Sequence, residues 1–255
     1  MEEHLSKIVS YVEPKPKTLV CISGKTSKLH TSFIPSLEFP TSSRYEIALA
    51  NLETYFSFPN VSNSNNHIKV SIDNGSSWID IHIPVGCYEI NAINTEIQRF
   101  IAEKSGDGKK KYLTISPNPN TLRCILEILD KKCQVDFNVG DDSLCTVLGF
   151  DRVIYKSGRH ESEHLVNIMS VNSILVHCDI IEATRLNGIE ASVIYNFFPD
   201  VAPGDKIIST PLHLMYVPLS LNIISHMTCW LTDQNGKELD LRGEELTITF
   251  HIKPS

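Results

Sequence analysis

The sequence predicts an all-β fold, an antiparallel sandwich or barrel. Many short segments rich in Val, Ile, Thr and aromatic residues alternate apolar and polar side chains with period two. Turn dipeptides separate them: Asn74-Gly75, Asn187-Gly188, Pro203-Gly204 and Asn235-Gly236. Helical periodicity occurs in only two places, so strands do not alternate with helices as a doubly wound parallel sheet requires.

In chain order, residues 1–17 carry Pro14, Pro16 and several charges and read as a flexible arm ahead of one domain over 18–255. Thr18 to Ile22 is a short β segment. Residues 23–44 read as loop, with Pro35, Pro40 and many Ser and Thr. Tyr45 to Phe56 is a long strand. Ile68, Val70 and Ile72 then alternate with polar residues up to an Asn-Gly turn, and Ile79, Ile81 and Ile83 resume the alternation, which predicts a hairpin with one buried face. Ile93, Ile97, Phe100 and Ile101 form a helical stripe over Asn91 to Glu103, with Asn91 as expected cap and Gly106 as stop. Tyr112–Ile115, Leu122–Leu129 and Gln134–Phe137 read as strands, and Ser143–Leu148 as a short helix before Gly149-Phe150. The rest is β: Ser173–Ile181, Ala191–Phe198, Asp205–Tyr216, Ile223–Leu231 and Leu246–Ile252. In the first strand of the last pair, Ile223, Met227, Cys229 and Leu231 share a face. That strand is expected to pair with Leu246–Ile252 across 232–245, with Leu239 and Leu241 tucked under the edge and Arg242, Glu244 and Glu245 in water.

Composition narrows the function classes. The net charge of −7 argues against a general nucleic-acid binder, and the one dense basic run, Lys109-Lys110-Lys111, follows a Gly-Asp-Gly loop. Seven cysteines, odd in number and without a C-x-x-C pair, read as reduced, mostly buried thiols rather than a disulfide framework or zinc knuckle. The acidic start lacks the pattern of a secretory signal, and no apolar run approaches the ~20 residues of a membrane span, so an intracellular setting is expected.

Candidate chemistry is sparse. His160-Glu161-Ser162-Glu163-His164 matches H-E-x-x-H, in which a helix brings both His to a metal and the Glu acts as base; Glu182 is a conceivable third ligand. The flanking pattern is β-like, so an exposed loop or turn is the plainer reading. Ser23 to Ser27 resembles the end of a phosphate-binding loop, but its first glycine would fall on Leu19. There is no G-x-S-x-G elbow. His177 and Cys178 are strand neighbours, so their side chains leave opposite faces and make no dyad. Tyr195, Phe197 and Phe198 read as core and rim packing. No coherent catalytic set emerges, which favours binding or assembly.

The closing segment, a strand followed by Thr232-Asp233, Gly236 and then Leu241-Arg242-Gly243-Glu244, resembles the C-terminus of penton-type minor capsid proteins of Polinton (Maverick) elements and adintovirus-like DNA viruses. "PVGCYEINAINTEIQRFI" and "LCTVLGFD" upstream resemble the same family in the same order. The resemblance implies a single jelly-roll sandwich of two antiparallel sheets of four main strands each, with one or two short helices in inter-strand loops. It also implies a homopentamer at the fivefold vertices of an icosahedral capsid, with no catalysis and no cofactor. The implied partners are other copies of this chain and a double-jelly-roll major capsid protein, without sequence-specific nucleic-acid binding. The implied location is the virion, assembled in the host nucleus or cytoplasm, with the N-terminal arm, Lys15 and Lys17 beside prolines, reaching a neighbouring shell protein. Two other classes stay open: a non-catalytic β-sandwich that binds a ligand or carbohydrate, and a zinc hydrolase using His160, Glu161 and His164, which requires a helix through 156–168.

Overall fold

A computed structural model describes residues 17–255, so the expected arm of residues 1–17 lies outside the described residues but for Lys17. Strands take 45% of the chain and helix 8%, which makes the class all-β. The chain opens with β1 (Thr18–Gly24), β2 (Lys28–Glu38) and β3 (Tyr45–Tyr55). It continues through β4 (His67–Ser71), β5 (Ile79–His82), α1 (Ile90–Ser105), β6 (Leu113–Asn118), β7 (Arg123–Ile128), β8 (Gln134–Asp136), α2 (Cys145–Leu148), β9 (Ile154–Tyr155) and β10 (Gly158–Glu161). It closes with β11 (Ile174–Cys178), β12 (Thr184–Leu186), β13 (Ile189–Ala191), β14 (Val193–Phe197), β15 (Lys206–Ser209), β16 (Val217–Pro218), β17 (Ile223–Asp233) and β18 (Leu246–Pro254).

Two sheets make the sandwich. One runs β1-β18-β3-β15, with β16 also on β3; the other runs β14-β11-β17-β2. All their strand pairs are antiparallel. The inward faces meet in one apolar layer: Ile47, Leu52, Ile248 and Phe250 on one side, Val176, Met227, Cys229 and Leu231 on the other. β18 sits between β1 and β3, so its perfect alternation puts Leu246, Ile248, Phe250 and Ile252 fully inside.

Several sequence expectations change here. The last two strands do not pair with each other: β17 lies between β11 and β2, whereas β18 lies in the opposite sheet. The Asn235-Gly236 turn closes only a local hairpin, in which the Asp233 amide donates to Lys237 O (2.8 Å) and the Leu239 amide to Leu231 O (3.2 Å). The chain then crosses between the sheets, with Leu239 and Leu241 buried at the end of the layer and Arg242 to Glu245 exposed as expected. Residues 28–38 are strand β2 rather than loop. β2 is an edge strand with much of its surface wet, so it tolerates Pro35 and lacks an apolar signature. A register shift between Ile224 and His226 moves the core position from Ile223, which is exposed, to Ile224. The span expected as one strand from Asp205 to Tyr216 stops at Ser209, shortly before Pro211.

The described residues pack around two cores. The second core falls entirely within the stretch between β3 and β11. Sheet β5-β4-β8-β9 and sheet β10-β7-β6 enclose it with α1, whose Ile90, Ile93, Ile97 and Ile101 are buried. The predicted β4–β5 hairpin is present, with His67 to Val70 paired to Ile79 to His82 and Ile72 and Ile83 just outside the strands. The first helix begins after Glu89, which makes no side-chain cap; Asn91 lies inside the helix. Instead, helix side chains dock it to the next strand: the Ile115 amide donates to Asn94 Oδ1 (2.9 Å), and the Gln98 amide donates to Leu113 O (2.8 Å). α2 ends at Gly149 with φ +80°, and a Cβ there would stand 2.4 Å from His164 O, so the Leu-Gly-Phe sequence records a close backbone approach.

Two predictions follow from these contacts. Phe250→Ala should lower unfolding stability by about 3–5 kcal/mol in urea melts, because the ring is fully buried, whereas Ile208→Ala, 61% exposed, should change it by less than about 0.5 kcal/mol. In the β4–β5 turn the Asp73 carboxylate accepts from the Ser77 hydroxyl, the Ser77 amide and the Ser71 hydroxyl, which hold its pKa down at about 2. A depressed folded-state pKa gives stability that is present above the unfolded value near 3.8 and is lost as pH falls toward about 2. Asp73→Asn should therefore flatten that part of the stability–pH curve and leave its neutral limb parallel to wild type.

Candidate functional site

Two places combine accessibility with organised chemistry. The first is a flank of the sandwich. β14 ends one sheet and β15 ends the other, and no described strand pairs with their outer sides. Between them lies an open groove of about 630 Å³, lined by Tyr195, Phe197, Phe198, Ile207, Ile208 and Leu212 among others. Period-two alternation explains the lining. Ile207 faces the core at 2% exposure while Ile208, its neighbour, faces water at 61%. Phe198 is 65% and Leu212 96% exposed. Exposed apolar side chains beside open backbone edges are what a protein–protein contact uses and what an isolated monomer must tolerate. The expected core-and-rim reading of Tyr195, Phe197 and Phe198 divides accordingly: the first two stack at 6.1 Å and pack against the core, whereas the third stands free. The opposite flank carries edge strands β1 and β2, with Leu19 68% and Ile34 95% exposed.

The second place lies in the inserted stretch. His67 at the start of β4 is buried, and each of its ring nitrogens meets a carboxylate. Nε2 hydrogen-bonds Asp80 Oδ1, and Nδ1 lies 3.3 Å from Asp142 Oδ1. His82 stacks on the ring at 4.2 Å, because β4 and β5 place the two histidines directly opposite each other. Burial pulls the Asp80 carboxyl up, but the hydrogen bond and charge of His67, with Lys69 and His82, outweigh it and hold the group below its ordinary value. Sequence reading missed this cluster. The pairing of His67 with His82 was readable from hairpin register alone, whereas Asp142 arrives from a distant loop with no local signal.

The residues that carry the C-terminal resemblance fall into two turns. Asp233 Oδ1 accepts the amides of Asn235 (2.8 Å) and Lys237 (2.9 Å), and Gly236 supplies φ +81°. Thr232 Oγ1 lies 2.9 Å from His177 Nε2, and the His177 ring stacks on Trp230 at 4.8 Å. Burial lowers the His177 pKa, favouring the neutral ring. Leu241 is buried with its carbonyl accepting from Ser57 Oγ (2.8 Å), and the Glu244 amide closes a turn onto the same carbonyl (2.9 Å). Arg242 adopts φ +53° with its amide on Asp240 Oδ1, and Gly243 follows at φ +81°. These residues shape the crossing between sheets and assemble no reactive groups.

The H-E-x-x-H segment is strand β10 with a following loop, not the helix that metal chelation needs. His160 Nε2 lies 2.7 Å from Lys156 O, Glu161 accepts from Thr121 and Asn118, and His164 Nε2 faces Asp151 Oδ1 at 3.2 Å. Each of the three side chains is held by different partners, so the arrangement expected for a zinc hydrolase is not formed. Ser23 and Gly24 end β1, Lys25 to Ser27 cross to β2, and Ser27 Oγ donates to Glu238 (2.8 Å). His177 and Cys178 do leave opposite faces: His177 joins Trp230, and Cys178 meets Cys229 in the core. Five of the seven cysteines are buried, and desolvation pushes Cys124 and Cys133 up to about 12, as inert thiols require. Among the described residues no helix is long and apolar enough to cross a membrane.

No family model matches the chain, and no curated protein sequence matches it. Among solved structures, it superposes on a crystal structure of the selenomethionine-labelled mavirus penton protein with a TM-score of 0.51, over 94% of this chain and 100% of that one, at 10% identity. At that identity the likeness concerns the fold. The D2–D3 domains of the Escherichia coli flagellar cap protein FliD align over 86% of this chain at 16% identity, but the TM-score of 0.19 carries no weight.

Replacing Asp233 with Ala should cost about 0.5–2 kcal/mol in denaturant melts, through the two amides it leaves to water. Asp233→Asn, which keeps an acceptor oxygen, should recover most of that loss.

Proposed function

We propose that this chain is a capsid subunit of the penton type, a non-catalytic minor capsid protein that closes fivefold vertices as a homopentamer in a Polinton- or adintovirus-like particle. The observation that carries the reading is a jelly-roll sandwich with two unlike flanks, each ending in unpaired strands with exposed apolar side chains, in a chain that follows the fold of a penton protein over 94% of its length. The resemblance of residues 232–244 to the penton C-terminus supports the same assignment.

Unlike flanks favour a head-to-tail contact, in which the β1/β2 side of one copy meets the β14/β15 groove of the next. Such contacts close into a ring when each step turns the chain by an equal fraction of a circle. A stable ring interface needs more than about 1,000 Å² of buried surface, which the groove, its rim and the facing edge strands are placed to provide. The major capsid protein, with its double jelly roll, would surround the ring, and the particle would assemble inside the host cell. A net charge of −7 suits a subunit whose neighbours are proteins rather than packaged nucleic acid.

Native mass spectrometry of the purified chain should show a species about five times the 28.6 kDa subunit, and negative-stain images should show fivefold rosettes. Ile208→Asp combined with Leu212→Asp should convert it to monomer without lowering the melting temperature, since both side chains already face water. A wild-type chain that stays monomeric at every concentration, or a ring that survives the double substitution, would refute the proposed contact.

A further inference from the structure

The histidine–carboxylate cluster gathers ligand groups that one cation would be able to share. A neutral imidazole has one N–H, yet His67 presents each nitrogen to a carboxylate oxygen. With the Nε2–H directed to Asp80, the Nδ1 lone pair faces Asp142 Oδ1 at 3.3 Å, a gap that a cation would bridge. Two ligand atoms held at about 2.0–2.1 Å by a tetrahedral ion stand about 3.3 Å apart, so this pair already has the separation of one edge of such a site.

We propose that His67, Asp142 and His82 form a binding site for a divalent transition cation of the zinc class. One ligand atom from each of the three lies within 4.8 Å of the others. Asp80 is the outer carboxylate that fixes the tautomer of His67, a common arrangement around metal-bound imidazoles. Two imidazoles and one carboxylate favour zinc-like ions over calcium or magnesium, which prefer oxygen ligands throughout. The backbone prepares the site: the His67 amide donates to Asp142 O (2.9 Å), and the Leu144 amide donates to His67 O (2.8 Å), so β4 and the loop bearing Asp142 are already joined. His82 stacks on His67 with an interplanar angle of 19°, which keeps its ring beside the His67–Asp142 pair. Its side chain is 55% exposed and can swing about its own torsions to complete the set, leaving a fourth position for water. The bound ion would tie the β4–β5 hairpin to the 138–144 loop. This inference is independent of the capsid reading and concerns a different part of the chain.

The test is titration of the tag-free full-length chain with Co²⁺ and Zn²⁺ under reducing conditions. Absorption of bound Co²⁺ and the melting temperature with Zn²⁺ are the readouts. One ion should bind per chain, raise the melting temperature, and show no thiolate-to-cobalt charge-transfer band. His82→Ala and Asp142→Asn should each weaken binding about tenfold or more. Both positions are at least partly exposed, and circular dichroism should show both variants folded. Absence of saturable binding would overturn the proposal. So would a charge-transfer band that places the ion on cysteine, or undiminished affinity in both variants.

Discussion

Two sheets that share one apolar layer must be joined by chain that leaves one sheet, seals the layer and enters the other. In this molecule two such crossings meet at one end. The 24–28 turn carries the chain from β1 to β2, and residues 234–245 carry it from β17 to β18. They are stitched together: Ser27 O accepts the Leu231 amide at 2.9 Å, and Ser27 Oγ donates to Glu238 at 2.8 Å. Leu239 and Leu241 seal the layer beneath them. The charge-dense segment before the final strand is thus the lid of the core. Its charges face outward because the chain between two buried leucines and a buried strand has water on its other side.

Much of this was legible in the residues. Strict alternation marks β18 because it is a central strand with one face in the layer, and the Asn-Gly turn marks the β4–β5 hairpin because short-range pairing suffices there. The helical stripe of α1 is readable for the same reason. What failed was non-local. β2 escaped notice because an edge strand gains little from apolar residues on its wet side, and the partner of β18 was misjudged because a tight turn at Asn235-Gly236 ends after a few residues of pairing. The phase of β17 was misjudged at Ile223 because a single register shift inverts every face upstream of it.

The candidate sites show the same division. The exposed apolar residues of the groove sit in recognisable strands, but only the sheet order shows that β14 and β15 are both terminal. His67 and His82 face each other by hairpin register. Asp142 comes from a loop held in place by two backbone hydrogen bonds, which no local pattern announces. The H-E-x-x-H string, by contrast, is highly visible and structurally inert, because a strand with a following loop sends its side chains to separate partners. A motif names side chains; the backbone conformation decides whether they meet.

The inserted stretch leaves and rejoins the sandwich at one point. The Asn60 side-chain amide donates to Ile168 O at 2.8 Å, bridging the outgoing and returning chain, and also to Tyr88 O at 2.7 Å. To the sandwich, everything between is one closed loop, and the entropy of closing a loop rises only slowly with its length. The stem therefore works as a graft junction. Length changes in turns remote from the stem would leave the sandwich undisturbed, whereas Cys87, whose Sγ contacts Ser57 O and Phe58 O, belongs to the junction itself.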